Sequence, residues 1–386
     1  VKIRYLMLHA YGMGGTIRTV INQANAMVKA GHDVEIVSVV RRRGKPQFAI
    51  HPSVRLSTLV DQREGRQADS LRRKAWRRVR GKMVPRGEFA ADYFTERVEK
   101  AVMDYVAGLT DGILVTTRPA LNLISARRAG KGVIRVAQEH MNLNAYPETI
   151  RREIGRYYDR FDAVAVLTRT NQLEYQELLP KSKIVSIPNA VHKADQRHSR
   201  QDNPIVVAAG RLVPQKGFDL LIPAFAQVVA EHPEWRLRIF GTGPRQAQLS
   251  AKIDELGMQD HIALMGRTER LDEELAASSV YVLSSRFEGL PMVMIEAMTH
   301  ALPIVAFDCP TGPRDVLTDG VDGILVPPRD ADALAVALRE VVSDRRRRLE
   351  MGAAAAAAAH AYAPDVVMPM WENLFTELLH GEQVNA

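Results

Sequence analysis

The stretch IRYLMLHAYGMGGTIRTVINQANAMVKAGHDVEIVSVV, residues 3–40, decides the fold. Its opening IRYLMLH is an apolar run of strand length, and YGMGGT at 11–16 is a glycine turn. IRTVINQANAMVKAG then reads as a helix that stops at Gly31, and DVEIVSVV as a second strand. A strand, a helix and a strand in that order make a βαβ unit, the opening of a doubly wound parallel sheet.

Working outward, strand-like runs recur at GILVTT, VIRVAQEH, AVAVLT and KIVSIPNAV. After the polar stretch HKADQRHSRQDNP the pattern restarts with IVVAAG, LRIFGTG, IALMGR, VYVLSS, PIVAFD and GILVPP, each followed by a helical segment. The restart predicts an α/β chain of two Rossmann-like domains joined by a linker near 190–203. Ligands are then expected at the carboxyl ends of the strands, in a cleft that the domains face. The expected limits are 1–195 and 196–365. The last stretch, 366–386, contains VVMPMWENLFTELLH, whose apolar helical face can pack across either domain.

At 386 residues and 46% hydrophobic content, the chain is long enough for two cores. A single cysteine, Cys309, excludes a disulfide framework or a cysteine-rich metal site and fits a reducing compartment. The first residues turn into YGMGGT instead of a cleavage site, so they read as a strand and not as a signal peptide. No apolar run reaches membrane-spanning length. The net charge of +7 is unevenly spread: the first half is strongly basic and the second acidic, so the first half is expected to face something anionic. The run LRRKAWRRVRGKMVPR, 71–86, is basic without an acidic residue and carries Leu71, Trp76 and Val79 between its charges. It reads either as a solvated loop or as a segment drawn to anionic lipid. No RRM, KH or zinc-finger signature supports nucleic-acid binding.

The chemistry concentrates in the second half. GRLVPQKGFD, 210–219, follows a strand, so Arg211 and Lys216 lie in a loop over the sheet edge, where both can reach a phosphate. Such a cation pair can stabilise a departing diphosphate without a metal. FGTGP, with Gly241 and Gly243, lets backbone approach a ligand closely. In RFEGLPMVMIEAM, Pro291 suits the first turn of a helix, which puts the amides of Gly289 and Leu290 at a helix N-terminus favourable for an anion. Glu288 stands before that start and Glu296 inside the helix, placed to hold different parts of one elongated ligand. Asp330 and Asp332 in "DAD" imitate a metal-binding DxD, but they begin a helix, where Asp is an ordinary N-cap.

The ordered set of GRLVPQKGFD, FGTGP, Glu-seven-Glu and CPTGPRDVL resembles the retaining glycosyltransferases of family 4, with the GT-B fold, over nearly the whole chain. The resemblance implies that Glu288 contacts the donor sugar, that Glu296 binds the nucleotide ribose, and that Arg211 and Lys216 neutralise the diphosphate. Gly210, Phe287, Gly289, Leu290 and Pro291 line the same donor site. It further implies that Gly14 and Gly15 of GMGGT form a glycine loop near the donor phosphates. This loop is not the dinucleotide fingerprint, since Ile17 stands where GxGxxG needs glycine. His140 of VAQEHMN is expected to face the donor sugar, and Thr311 and Gly312 to approach the donor through their backbones. Asn189 marks the segment where the first domain ends. Arg314 and Asp315 depart from many relatives, which carry glutamate at the second of these positions.

The expected reaction is transfer of a sugar from a nucleotide donor, UDP-linked glucose, galactose or N-acetylhexosamine, to an acceptor hydroxyl with retention. No cofactor or metal is called for. Expected partners are the nucleotide-sugar and an anionic or lipid-linked acceptor, with peripheral contact to anionic membrane through 71–86, in the cytoplasm or at the inner face of the plasma membrane. Two alternatives stand beside this: a basic membrane- or polymer-binding protein without turnover, and a sugar-nucleotide epimerase or phosphorylase on the same scaffold.

Overall fold

A computed structural model describes residues 1–63 and 81–384. Most of the basic 71–86 segment therefore lies outside the described residues. Its last part, 81–86, is tied down: the amides of Met83 and Val84 donate to the Glu99 carboxylate.

The described residues form two compact units, one of Val1–Pro188 with Val367–Ala386, the other of Asn189–Val366. In the first, strands β1 (Lys2–Met7), β2 (Asp33–Arg41), β3 (Arg55–Asp61), β4 (Ile113–Thr117), β5 (Ile134–Gln138), β6 (Ala163–Val166) and β7 (Ile184–Ser186) make one parallel sheet in the order β3-β2-β1-β4-β5-β6-β7. Helices α1 (Gly15–Lys29), α2 (Glu96–Ala107), α3 (Pro119–Arg128), α4 (Glu148–Tyr157) and α5 (Arg169–Leu178) connect them. Strands buried on both faces read as continuous apolar runs, which is why β1, β4, β5 and β6 stand out in the sequence. The edge strand β3, RLSTLVD, is half-exposed and mixes polar with apolar residues, so it carries no such run.

The second unit repeats the architecture. Strands β8 (Ile205–Ala209), β9 (Arg236–Phe240), β10 (Ile262–Gly266), β11 (Val280–Leu283), β12 (Ile304–Phe307) and β13 (Gly323–Val326) are ordered β10-β9-β8-β11-β12-β13. Its helices are α6 (Phe218–Glu231), α7 (Gln246–Glu255), α8 (Leu271–Ala277), α9 (Met292–Thr299), α10 (Pro313–Val316), α11 (Ala331–Ser343) and α12 (Arg345–Ala359). Phe218, Leu221, Phe225 and Val228 of α6 pack with Leu334, Leu338 and Val341 of α11 on the sheet. Each such side chain contributes roughly 1.5–3 kcal/mol by leaving water.

The final helix, α13 (Pro364–Val384), belongs from Val367 onward to the first unit. Trp371, Leu374 and Phe375 are buried there, and Glu372 and Glu377 meet His32 and Lys183. In each sheet the strand order reverses beside the first strand of the unit, at β1/β4 and at β8/β11. Chain ends diverge at such a point and leave room for a ligand.

Candidate active site

The second switch point is built by close backbone contacts. Beyond β8, the Gly210 amide donates to the Phe240 carbonyl (2.9 Å) and the Leu212 amide to Thr242 (3.0 Å), which zips the loop after β8 to the loop after β9. A Cβ on Gly241, whose φ is +136°, would lie 1.9 Å from the Gly210 carbonyl oxygen, and one on Gly243 would lie 2.5 Å from that of Leu212. Only glycine fits at either position.

The same loop is stitched on its other side to the loop after β11. The Arg286 amide donates to the Gln215 carbonyl (2.7 Å), Gln215 Nε2 to the Phe287 carbonyl (3.1 Å), and Ser284 Oγ to the Lys216 carbonyl (2.9 Å). The Arg286 guanidinium grips Asp219 through both carboxylate oxygens, at 2.9 and 2.7 Å. These bonds fix where Lys216 starts and where its side chain can go. Its methylenes lie beside Gly210, and Nζ donates to Glu288 Oε1 at 2.7 Å, as does Ser285 Oγ at 2.5 Å.

Glu288 is buried, yet its second oxygen, Oε2, takes no hydrogen bond among the described residues. The neighbouring amides of Gly289 and Leu290 are buried and have no backbone acceptor among the described residues. Helix α9 begins at Met292 with Pro291 as its N-cap, one residue later than the first-turn proline expected from sequence. Glu296 is half-buried within that helix. Burial first, and then the charges of Glu288 and Glu296, push the buried Tyr281 hydroxyl further from ionising.

Arg211 is exposed, and its guanidinium makes no bond among the described residues. Since Lys216 and Glu288 neutralise each other, Arg211 and the two open amides are what the pocket offers an anion. Thr311 braces the turn: its amide donates to the Glu288 carbonyl (3.2 Å) and its hydroxyl to the Glu288 and Gly289 carbonyls. Its backbone N–H is therefore already engaged, unlike the ligand contact expected. Gly312, with φ +100°, packs where a Cβ would strike Pro291 Cδ at 2.7 Å. Arg314 is paired with Asp308. Cys309 is buried and its thiol is pushed up to about 12, by burial first and Glu288 second, so it is not a nucleophile. Asp330 caps α11 by accepting from the Ala333 amide.

At the switch point of the first unit, Gly14 and Gly15 open α1 and leave unobstructed space where side chains would stand, whereas Gly12 is pressed against the His9 ring. His140, just beyond β5, has both ring nitrogens buried and unpartnered. Burial, and then the charge of Arg118, brings its pKa down to about 4, so the ring is a neutral imidazole at neutral pH. Beside it stands Glu139, not singled out by sequence, which accepts from Asn122 Nδ2 (2.7 Å), Tyr146 Oη (2.8 Å) and Tyr158 Oη (2.5 Å). Burial raises its pKa to about 7 against those three bonds, which lower it.

These neighbours act on stability in opposite senses. Folded Glu139 binds its proton more tightly than the unfolded chain does, so its contribution is present below about 4.5 and is lost as pH rises to about 7. Folded His140 binds its proton less tightly, so stability rises with pH between about 4 and 6.5. Glu139→Gln removes the first effect and leaves the second. Its melting temperature is expected to climb from pH 4.5 to 6.5 more steeply than that of the parent chain; parallel pH profiles would contradict the assignment.

Residues 192–358 match the family model of the glycosyl transferases group 1. Over 98% of its length the chain is 33% identical to an exopolysaccharide phosphotransferase of Streptomyces coelicolor, of which it spans 41%. It is 25% identical over 97% of its length to an uncharacterized glycosyltransferase of Haemophilus influenzae, of which it spans 99%. The solved structure of Staphylococcus aureus TarM with fondaparinux, α-GlcNAc-glycerol and UDP matches 97% of this chain and 99% of that one, with a TM-score of 0.78 at 17% identity, a likeness of fold. The two Rossmann-like units give the chain the GT-B architecture. The group 1 match falls on the second unit, the one that holds Arg211, Lys216, Glu288 and Glu296.

Proposed function

We propose that the chain transfers a hexosyl or N-acetylhexosaminyl unit from a UDP-sugar to a hydroxyl of an anionic or lipid-linked acceptor, with retention of configuration and without a metal. The observation that carries this reading is the partly buried Lys216–Glu288 pair, with one glutamate oxygen open and the unengaged amides of Gly289 and Leu290 beside it. UDP, present in the TarM structure, supports the choice of nucleotide.

In this reading the second unit binds the donor. Glu288 Oε2 accepts a hydroxyl of the donor sugar, Glu296 holds the ribose, and Arg211 with the two amides takes the diphosphate. Preorganised donors of this kind stabilise the charge that grows on the leaving group as the glycosidic bond breaks. The first unit supplies the acceptor surface, the open Gly14–Gly15 helix start and the neutral His140 ring, whose N–H can donate to a sugar oxygen. An oxygen of the leaving phosphate takes the acceptor proton on the same face, so the reading needs no separate general base. Among the described residues no helix is long and apolar enough to cross a membrane. Contact with an anionic inner membrane face, through the basic first half, remains part of this proposal.

The test is a donor screen with EDTA present. UDP-glucose, UDP-galactose, their N-acetyl forms and GDP-mannose are offered to the purified chain, and diphosphate release is followed together with calorimetric binding. One UDP-sugar is expected to bind and turn over. Arg211→Ala is expected to weaken UDP binding about tenfold or more, with Arg211→Lys restoring only part of it, because an ammonium lacks the planar fork. Silence with every donor in a folded sample would favour binding without turnover.

A further inference from the structure

The carboxyl edge of the first sheet carries a cluster of cations that the donor reading does not use. Strand β2 runs out into Arg41, Arg42 and Arg43; β1 is followed by His9; β4 is followed by Arg118. Since β1 lies between β2 and β4, these strand ends stand side by side, about 4.8 Å from one to the next. The guanidiniums of Arg42, Arg43 and Arg118 all lie close enough to His9 to disfavour its protonation, after burial has done so.

Arg41, Arg42 and Arg43 are held in place without an ion pair among the described residues, whereas Arg118 is paired with Glu88. Arg41 lies over the Tyr11 ring, 4.6 Å from its centroid, and donates to the carbonyls of Arg43 and Gly44. Arg42 lies over Tyr93 at 4.2 Å and donates to Gln62 Oε1 at 2.9 Å. Arg43 is exposed, and no bond from its guanidinium is found among the described residues. Nearby carboxylates are occupied: Asp61 is held by Arg63, and Glu88, fully buried, by Arg118 at 2.8 Å. Arg118 itself has φ +83°, a conformation that costs a non-glycine residue about 1–2 kcal/mol and persists where surroundings enforce it. Planar guanidinium groups stacked on aromatic rings keep N–H donors that suit the oxygens of a phosphate.

We infer that Arg41, Arg42 and Arg43, with Arg118 beside them, form a binding site for a phosphate group of the acceptor, so that the acceptor is a phosphodiester-bearing chain. The inference rests on the transferase reading for its choice of acceptor over donor. The donor's diphosphate has its own set of contacts at Arg211, Gly289 and Leu290, which leaves this edge for the other substrate.

The test titrates a synthetic glycerol-phosphodiester hexamer into the full chain by calorimetry, with and without UDP, at about 0.15 M salt. The comparison is Arg42→Gln/Arg43→Gln, which alters exposed side chains and is checked for an unchanged melting temperature. The parent chain is expected to bind the hexamer whether or not UDP is present. The double variant should bind it about tenfold more weakly or worse, with UDP affinity held within about twofold. Three results would overturn the site: no binding by the parent chain, equal binding by parent and variant, or a loss of UDP affinity as large as the loss for the hexamer. The last would assign these cations to the donor. Failure of the parent chain to bind UDP would instead count against the donor reading and leave the hexamer titration without UDP fully interpretable.

Discussion

Glu288→Ala is expected to lower kcat/KM for sugar transfer by roughly 10²–10³-fold or more while the second unit stays folded. The wild-type carboxylate does two things at once. Through Oε1 it holds Lys216 and Ser285, and through Oε2 it presents an unengaged acceptor to the pocket. Alanine deletes both, and Lys216, one-fifth exposed, loses its counter-ion. An amine in that position keeps some access to water, so the cost is about 1–3 kcal/mol, well within the stability of a unit with this core. Glu288→Gln separates the two effects. It retains an oxygen for Lys216 and Ser285 and nearly the same volume, so its melting temperature should return close to that of the parent chain. Transfer should remain impaired, because the neutral amide is a weaker acceptor for a sugar hydroxyl. Steady-state kinetics and thermal melts on both variants check this, and near-normal turnover in Glu288→Ala would remove Glu288 from the reaction.

Gly217→Ala is expected to be as damaging by a different route. A Cβ there would lie 1.9 Å from the Ser284 carbonyl oxygen, a backbone atom that cannot swing aside, and Gly217 has φ +65°. The loop after β8 must move away from the loop after β11, which breaks the bonds that fix Gln215 and Lys216. A loss of about 3–5 kcal/mol is expected, together with the loss of transfer. Gly257 provides the control, because it has the same φ of +65° but nothing within 4 Å of an added Cβ. Gly257→Ala should therefore show the conformational cost alone, about 1 kcal/mol. Urea denaturation of the two variants, with hydrogen exchange on 205–217 and 280–288, measures the difference. Equal stability losses would show that the Ser284 contact does not matter.

Much of this architecture is legible in the chain because parallel strands covered on both faces must be apolar throughout. The runs at β1, β4–β6, β8, β11 and β12 announce themselves. Strand β3 does not, since one of its faces is partly in water and Ser57 and Thr58 interrupt the pattern. At the site, Glu288, Glu296, Arg211 and Lys216 are readable from their spacing around glycine and proline. What positions them is not. Asp219 and Arg286, or Gln215 and Phe287, are far apart in sequence and meet only because β8 and β11 are neighbours in the sheet. Arg118 is hidden for another reason: a positive φ on a non-glycine residue leaves no mark in the sequence beyond the proline that follows it. Glu139 stood next to a residue already singled out, but its burial depends on Tyr146 and Tyr158 arriving from the following helical segment.

The placement of α13 bears on how the protein is made. Its buried Trp371 and Phe375 complete a unit whose other residues end at Pro188, with the whole second unit encoded in between. At ribosomal rates of about 5–20 residues per second, the nascent first unit waits on the order of ten to forty seconds for its last helix. The second unit, being continuous in the chain, can finish during that wait. The half that is translated first is thus the half that matures last, and until then the apolar seat of α13 is open to chaperones or to a neighbouring nascent chain on the same message.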